Sequence, residues 1–169
     1  MPLSPTGKIV IGLGSNLGNC IGNLGEAVAR LKERFGPTVL ASSMYRSEPV
    51  ELLDQPWFYN QVVIFDSGTV PFPSALLADL KTIEHQMGRV GGVRYGPRQI
   101  DLDLLFYGDW VLESASLIIP HPKITQRSFV LLPMAEIASD YIHPRLGITI
   151  DEMINQNRAW LTPCEPVRF

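Results

Sequence analysis

Two aspartates, Asp101 and Asp103, alternate with leucines in the stretch from Gln99 to Tyr107. Alternation with a period of two is typical of a β-strand, so both carboxylates are expected on one strand face and close together. Like charges at that spacing repel unless a cation lies between them, and Mg²⁺ prefers such oxygen ligands together with substrate phosphates. The pair is therefore a candidate magnesium site. The same alternation places Leu102, Leu104 and Phe106 together on the opposite face.

The segment before this strand, from Arg89 to Arg98, carries positive charge on a glycine-rich backbone. Its arginines suit phosphate oxygens, which a guanidinium can bind through two parallel hydrogen bonds. Neither Arg89 nor Arg94 has an obvious carboxylate partner nearby in the sequence. Carboxylates for a metal beside such a loop indicate phosphoryl transfer from a nucleotide. The glycines favour a lid that is open in the free protein and closes over the triphosphate.

Each of these features has a simpler interpretation. An isolated Asp-x-Asp on a strand is often a solvated face, and a glycine-rich loop is often only a connector. Asn60, at the start of a strand, is typical of a turn or cap residue. Glu84 and His85 lie late in a helix, where Glu84 is unremarkable and His85 is expected to be exposed.

Composition limits the class of protein. A chain of 169 residues is long enough for one domain with a core and short for two, and leaves no room for a second catalytic domain. A net charge of −3 argues against nucleic-acid binding. Cys20 and Cys164 cannot form a disulfide framework, which favours a reducing compartment. No apolar run reaches membrane length and no signal peptide is visible, so a cytoplasmic location is expected.

Sequence patterns predict the element order β-α-β-β-α-β. The strands lie at 8–13, 39–46, 59–65 and 99–107, and the helices at 19–35 and 74–87. This order is typical of the α+β class with a ferredoxin-like split β-α-β-β-α-β antiparallel sheet and helices packed on it. Further on, a short strand at 110–112, a helix from Ser128 with Pro133 early or at a kink, and a helix at 150–157 are expected. Residues 1–7 and 158–169 are expected to be peripheral and irregular in a single domain spanning 1–169.

The stretch Arg-Gln-Ile-Asp-Leu-Asp from Arg98 to Asp103, directly after Tyr-Gly-Pro, resembles the signature of the 6-hydroxymethyl-7,8-dihydropterin pyrophosphokinase family of folate biosynthesis. Other pieces resemble this family in the same order along the chain, and the resemblance runs from about Lys8 to Asn155. These pieces are Ile11–Gly18, Tyr45–Val50, Asp54–Asn60, Pro120–Pro122 and Arg127–Phe129.

The resemblance implies a Mg²⁺-dependent transfer of pyrophosphate from ATP to 6-hydroxymethyl-7,8-dihydropterin, with release of AMP. It implies that Asp101 and Asp103 hold two Mg²⁺ ions and that Arg89 and Arg98 are catalytic. The ATP-binding residues it implies are Glu84, Arg89, Tyr95, Arg98, His121 and Arg127. The pterin-binding residues it implies are Gly14, Ser47, Glu48, Val50, Phe58, Asn60 and Phe129. The partners are then small-molecule substrates, without nucleic acid or membrane, and other folate-pathway enzymes are possible partners.

Three positions depart from the pattern of the family. Gly91 stands where many members carry a second arginine, so Arg94 either substitutes for that charge or does not. Tyr95 stands where some members have tryptophan, and Pro122 follows the histidine where some have tyrosine.

Two other classes of function remain open from the sequence. One is a different Mg²⁺-dependent nucleotide transferase, which would share the paired carboxylates. The other is a non-catalytic ferredoxin-like module that binds RNA or a nucleotide. RNA recognition on this topology needs exposed aromatic and basic residues on the central strands, where this chain has aspartates.

Overall fold

The computed structural model describes residues 7–89 and 91–169. In chain order, the helices and strands of this part of the chain are β1 (Lys8–Ser15), α1 (Cys20–Phe35), β2 (Leu40–Ala41), β3 (Tyr45–Ser47), β4 (Phe58–Asp66), α2 (Pro73–Gln86), β5 (Asp101–Tyr107), β6 (Leu112–Glu113), β7 (Ile118–Ile119), α3 (Ser128–Ala138), α4 (Ile150–Asn157) and β8 (Cys164–Pro166). Within it, six strands form one antiparallel sheet in the order β5-β1-β4-β3-β8, with β2 also paired to β4. Strands β6 and β7 form a separate pair.

The predicted elements are present with four differences. The strand expected at 110–112 lies instead at Leu112–Glu113, and β7 was not predicted. The strand expected at 39–46 is divided into β2 and β3, and both parts pair with β4. The expectation of an irregular tail is wrong for residues 164–166, because they form β8 at the edge of the sheet. The expectation for residues 1–6 concerns positions outside the described part of the chain. Strand β8 includes Pro166, which an edge strand tolerates because one side of its backbone makes no ladder hydrogen bonds.

Helices cover both faces of the sheet. Alternate residues of β1 point to opposite sides: Ile9 and Ile11 pack in one core cluster, and Val10 packs in the other. The first cluster includes Leu31 of α1 and Leu80 of α2, and the second includes residues of α3 and α4. The central strands are therefore buried on both sides, so in the described part of the chain neither face is open for stacking of RNA bases.

A β-bulge changes the alternation of β5. Ile11 pairs with Leu104 and Val10 pairs with Phe106, so Leu105 is the extra residue on β5. Leu102 and Leu104 pack against α1 and α2 as expected, but Phe106 packs in the opposite cluster, where its ring centroid lies 4.8 Å from that of Tyr141. The prediction that Phe106 shares a face with Leu102 and Leu104 is therefore wrong.

Two glycines of β1 lie opposite the aspartates of β5: Gly12 pairs with Asp103, and Gly14 pairs with Asp101. A Cβ atom at Gly12 would lie 3.2 Å from a methyl carbon of Leu105, and one at Gly14 would lie 3.4 Å from the side-chain oxygen of Asn60. Both distances are tight for a Cβ contact. The glycines therefore allow the side chains of Leu105 and Asn60 to lie directly against the β1 backbone, beside the aspartates.

The turn after β1 is tied to β5 through α1. The side-chain nitrogen Nδ2 of Asn23 donates to the Ser15 hydroxyl at 3.2 Å, to the Leu17 carbonyl at 3.0 Å and to the Gln99 carbonyl at 3.1 Å. Asn19 caps the helix by accepting from the Gly22 backbone N–H. The first turns of α1 therefore set the position of the strand that carries the aspartates.

We expect Asn23→Ala to lower the free energy of unfolding by about 1–3 kcal/mol, because it leaves partly buried acceptors unpaired. Urea titration would measure the change. Asn155→Ala is the matched control: Asn155 is exposed on α4 and accepts one hydrogen bond from Arg158. Its effect is expected to stay within about 0.5 kcal/mol. Equal effects of the two substitutions would contradict the role given to Asn23.

Candidate active site

A cleft opens beside the glycines of β1, lined by Gly12 and Gly14. The cleft brings together most of the residues predicted for the site, namely Gly14, Glu48, Val50, Phe58, Asn60, Tyr95, Arg98, Asp101, Asp103, Arg127 and Phe129. Four predicted residues, Ser47, Glu84, Arg89 and His121, lie outside its lining.

Three arginines surround the paired aspartates: Arg89 and Arg98 from the two ends of the glycine-rich loop, and Arg127 from the segment before α3. Arg89 Nη1 lies 2.8 Å from Asp101 Oδ1, and Arg98 Nη1 lies 3.3 Å from Asp101 Oδ2. Arg127 Nη1 is 3.6 Å from Asp103 Oδ2. Asp101 thus has two close cations, while Asp103 has one more distant partner.

Asp103 is therefore the less compensated carboxylate. Burial and the charge of Asp101 raise its pKa to about 6, against the opposing effect of Arg127. A half-buried carboxylate with excess negative charge beside a second carboxylate has the donor chemistry that suits Mg²⁺. Within residues 7–89 and 91–169, no cluster of three or more His, Cys, Asp or Glu side chains is arranged to hold a metal ion. The aspartate pair fits an ion that takes its other ligands from substrate or water.

Glu84 is a buried member of the same charge network, with 3% of its side chain exposed. Its Oε1 accepts from the Leu102 backbone N–H at 2.7 Å and lies 2.6 Å from Arg89 Nη1. Burial raises the pKa of Glu84, and the Leu102 N–H and the Lys81 ammonium oppose that shift. The view of Glu84 as an unremarkable helix-end residue is wrong. Arg89, for which no carboxylate partner was obvious nearby in the sequence, lies between Glu84 and Asp101 in the fold.

A second cleft shares Asp103 with the first. Lys81 and His121 line it together with residues 114–118. His121 Nδ1 accepts from the Lys123 backbone N–H at 3.1 Å. Burial and nearby Arg127 lower the pKa of His121 to about 4. The imidazole is therefore neutral at pH 7, and its proton lies on Nε2, where it can be donated to an acceptor.

The amide of Asn60 is held in place at the other end of the first cleft. Asn60 is buried within β4, and its Nδ2 donates to Ser47 Oγ at 2.9 Å. The turn or cap role suggested by its sequence position is therefore wrong. Ser47 lies behind Asn60, which explains why it does not line the cleft. Phe58 of β4 and Phe129 of α3 provide aromatic lining from two different elements.

Sequence reasoning missed Asn16, a buried residue that joins the loops around the cleft. Its Nδ2 donates to Gln55 Oε1 and to the Pro56 carbonyl, both at 3.0 Å, and its Oδ1 accepts from the Arg98 backbone N–H at 2.9 Å. Gln55 in turn donates to the Tyr95 carbonyl at 2.8 Å. The position of Asn16 in a glycine-rich turn directly after a strand was the available signal. His85 is exposed, as expected.

The family model for 7,8-dihydro-6-hydroxymethylpterin-pyrophosphokinase matches residues 10–139. The chain is 43% identical over 162 residues to the 2-amino-4-hydroxy-6-hydroxymethyldihydropteridine pyrophosphokinase of Synechocystis, covering 92% of this chain and 82% of that protein. It is 48% identical over 131 residues to a mitochondrial folate synthesis bifunctional protein of Arabidopsis thaliana, covering 77% of this chain.

A crystal structure of HPPK-DHPS from Plasmodium falciparum has a similar fold, with a TM-score of 0.75, 20% identity and coverage of 90% of this chain. This chain spans 23% of the Arabidopsis protein and 44% of the Plasmodium chain, so it corresponds to only part of each.

The raised pKa of Asp103 predicts a pH dependence of stability. Its folded value of about 6 lies above the unfolded value of about 3.9, so its contribution to stability is present below pH 4 and is lost as the pH rises through 6. We expect Asp103→Asn, measured by urea titration with a chelator, to be more stable than the wild type at pH 8. The difference should become smaller toward pH 4. A difference that is constant with pH would contradict the assignment.

Proposed function

This chain belongs to the 7,8-dihydro-6-hydroxymethylpterin-pyrophosphokinase family, and from that membership we propose that it transfers pyrophosphate from ATP to 6-hydroxymethyl-7,8-dihydropterin in folate biosynthesis. The products are the pterin diphosphate and AMP. The observation that carries the proposal is the junction of two clefts at Asp103, one lined by aromatic rings and a fixed amide and the other lined by Lys81 and His121.

The first cleft suits a pterin. A flat heteroaromatic ring needs aromatic faces and a polar edge to pair with its donors and acceptors. Phe58 and Phe129 provide the faces, and Asn60 provides the edge. Gly14 keeps the space beside the Asn60 oxygen free of a side chain. Glu48 and Val50 line the loop side, and Ser47 positions Asn60 from behind.

The second cleft suits the nucleotide. His121 presents a neutral N–H donor there, as its lowered pKa requires. Arg98 and Arg127 lie beside the aspartates, where the phosphates pass between the clefts. Glu84 holds the guanidinium of Arg89 against Asp101. Tyr95 lines the first cleft from the glycine-rich loop. The arginines and His121 bind and orient the triphosphate by charge and hydrogen bonding, and Glu84 acts on it through Arg89.

Asp101 and Asp103 would hold Mg²⁺, and we propose two ions. When bound, the metal supplies positive charge that neutralises the phosphate oxygens. The residues of this chain contribute binding, orientation and charge balance around the transferred group. Arg98, 3.3 Å from Asp101, can pair with a phosphate oxygen once a metal ion compensates that carboxylate.

The arrangement of the chain is also part of the proposal. A split β-α-β-β-α-β, ferredoxin-like class is supported by β1 lying between β4 and β5 with antiparallel pairing on both sides. We propose one domain over residues 1–169. The two free thiols, Cys20 and Cys164, are compatible with the cytoplasm. No helix among the described residues has the length and apolar character of a membrane span. We propose other folate-pathway enzymes as partners, because the Arabidopsis relative is named a folate synthesis bifunctional protein.

A second candidate is another Mg²⁺-dependent nucleotide transferase. The aspartate pair and the arginines would serve it equally well. The aromatic and amide lining of the first cleft favours the pterin as acceptor. An assay of AMP release from ATP, with and without 6-hydroxymethyl-7,8-dihydropterin, separates the two. Release that does not depend on the pterin would overturn the proposed acceptor.

We expect Asp101→Asn and Asp103→Asn to lower Mg²⁺-dependent AMP release by a factor of about 100 or more, because metal charge stabilisation amounts to several kcal/mol. The fold should remain, as circular dichroism can check. Asp79→Asn is the control, because Asp79 pairs with Arg34 on the outer surface of the helices. If either cleft variant retains near-normal Mg²⁺-dependent turnover, the metal assignment is wrong.

We expect Asn60→Ala and Phe129→Ala each to weaken pterin binding by about 1–3 kcal/mol, since one removes a paired polar edge and the other an aromatic face. Calorimetric titration with the pterin and with a non-hydrolysable ATP analogue would compare the two ligands. The analogue should bind nearly as it does to the wild type. Equal losses for both ligands would argue against a separate pterin pocket.

A further inference from the structure

Three side chains meet across the rim of the first cleft. Lys123 Nζ donates to the Tyr95 hydroxyl at 3.0 Å and forms an ion pair with Glu51. Glu51 and Tyr95 line the cleft, and about a third of the side chains of Lys123 and Glu51 is exposed. We call the three residues Glu51, Tyr95 and Lys123 the rim cluster. The proposed function assigns no role to Glu51 or Lys123.

The rim cluster joins three separate segments of the chain. Glu51 lies in the loop that carries Glu48 and Val50. Tyr95 lies in the glycine-rich loop, and Lys123 follows His121 on the way to α3. Each segment contributes a predicted site residue to one of the two clefts. A contact that fixes these segments relative to one another therefore fixes residues of both clefts.

Tyr95 has a backbone conformation that needs support. Its φ of 62° lies in the left-handed region, which is unfavourable for a residue with a Cβ atom. Its carbonyl accepts from Gln55, and its ring lies 4.7 Å from Lys123 Nζ, within the range of a cation–π contact. Arg94 also donates to the Tyr95 hydroxyl at 3.1 Å. Tyr95 is thus held through its backbone, its ring and its hydroxyl.

The hydroxyl makes this arrangement specific to tyrosine. An indole at position 95 has no oxygen to accept from Lys123, and a ring without a hydroxyl leaves Lys123 with the Glu51 carboxylate alone. Lys123 and Tyr95 therefore act as a matched pair. A lysine lies at the centre of the cluster because its ammonium group has three donors, which serve a carboxylate and a hydroxyl at once.

We propose that Lys123 is a positioning residue. By binding both Tyr95 and Glu51, it holds the glycine-rich loop against the loop that carries Glu48, Val50 and Glu51. This contact fixes the rim of the first cleft. This proposal is an alternative to the lid expected from the glycines, because the contacts of Tyr95 hold its part of the loop closed. A rim fixed before binding lowers the ordering cost of capturing the substrate. The identity of that substrate rests on the proposed function, whereas the rim cluster does not.

The free protein provides the first test, by amide hydrogen exchange of residues 91–97. Lys123→Met, Tyr95→Phe and Glu51→Gln should each increase exchange in this segment, and Lys123→Arg should restore much of the protection. In the double variant Lys123→Met/Tyr95→Phe the increase in exchange should be smaller than the sum of the two single increases, because both substitutions remove the Lys123–Tyr95 contact. Lys8→Met is the control, since Lys8 forms its ion pair with Asp66 on the outer end of β1.

Pterin binding provides the second test. Lys123→Met should raise the KM for 6-hydroxymethyl-7,8-dihydropterin by about fivefold, the scale of a partly exposed ion pair, with a smaller change in kcat. Unchanged exchange in Lys123→Met, or a fall in kcat alone, would overturn the positioning role. If the wild type releases no AMP, the proposed function fails, and exchange in the free protein still decides the rim cluster.

Discussion

Repulsion between two carboxylates is the constraint on which the site depends. Asp101 and Asp103 lie two residues apart on one strand and share a half-buried cleft, where like charges are costly. The chain places three guanidiniums around them, two from the ends of the glycine-rich loop and one from Arg127 just before α3. The compensation is uneven, since Asp103 keeps a raised pKa. A site that retains uncompensated negative charge is one that a divalent cation stabilises, and that cation then attracts phosphate.

The sheet makes this placement possible through small local devices. Gly12 and Gly14 remove side chains from the strand opposite the aspartates, so that neighbouring side chains can approach closely. The bulge at Leu105 ends the alternation that the aspartates begin, so that Phe106 joins the core on the cleft side, beneath α3 and α4. An unbroken strand would have put that ring on the other face. One short strand therefore places its aspartates in the cleft and Phe106 in the core.

Local patterns predicted the elements and the aspartate face well, because period-two and helical periodicities are properties of neighbouring residues. The errors involve contacts between distant residues. The bulge depends on pairing with β1, and β8 depends on an exposed edge of β3. The burial of Glu84 follows from its bond to the Leu102 N–H, which no local pattern contains. The resemblance named both Asn60 and Ser47 as pterin-binding residues. Only the fold shows that Ser47 supports Asn60, by accepting a hydrogen bond from its side chain.

The loops around the clefts form one connected network. Asn16 binds the Arg98 backbone on one side and Gln55 on the other, and Gln55 also holds the Tyr95 carbonyl. A displacement of the loop between β3 and β4, which contains Gln55, therefore changes the contacts of the glycine-rich loop. This effect needs no switch between two separate conformations. The two loops share hydrogen-bond partners, and these already make the position of each loop depend on the other.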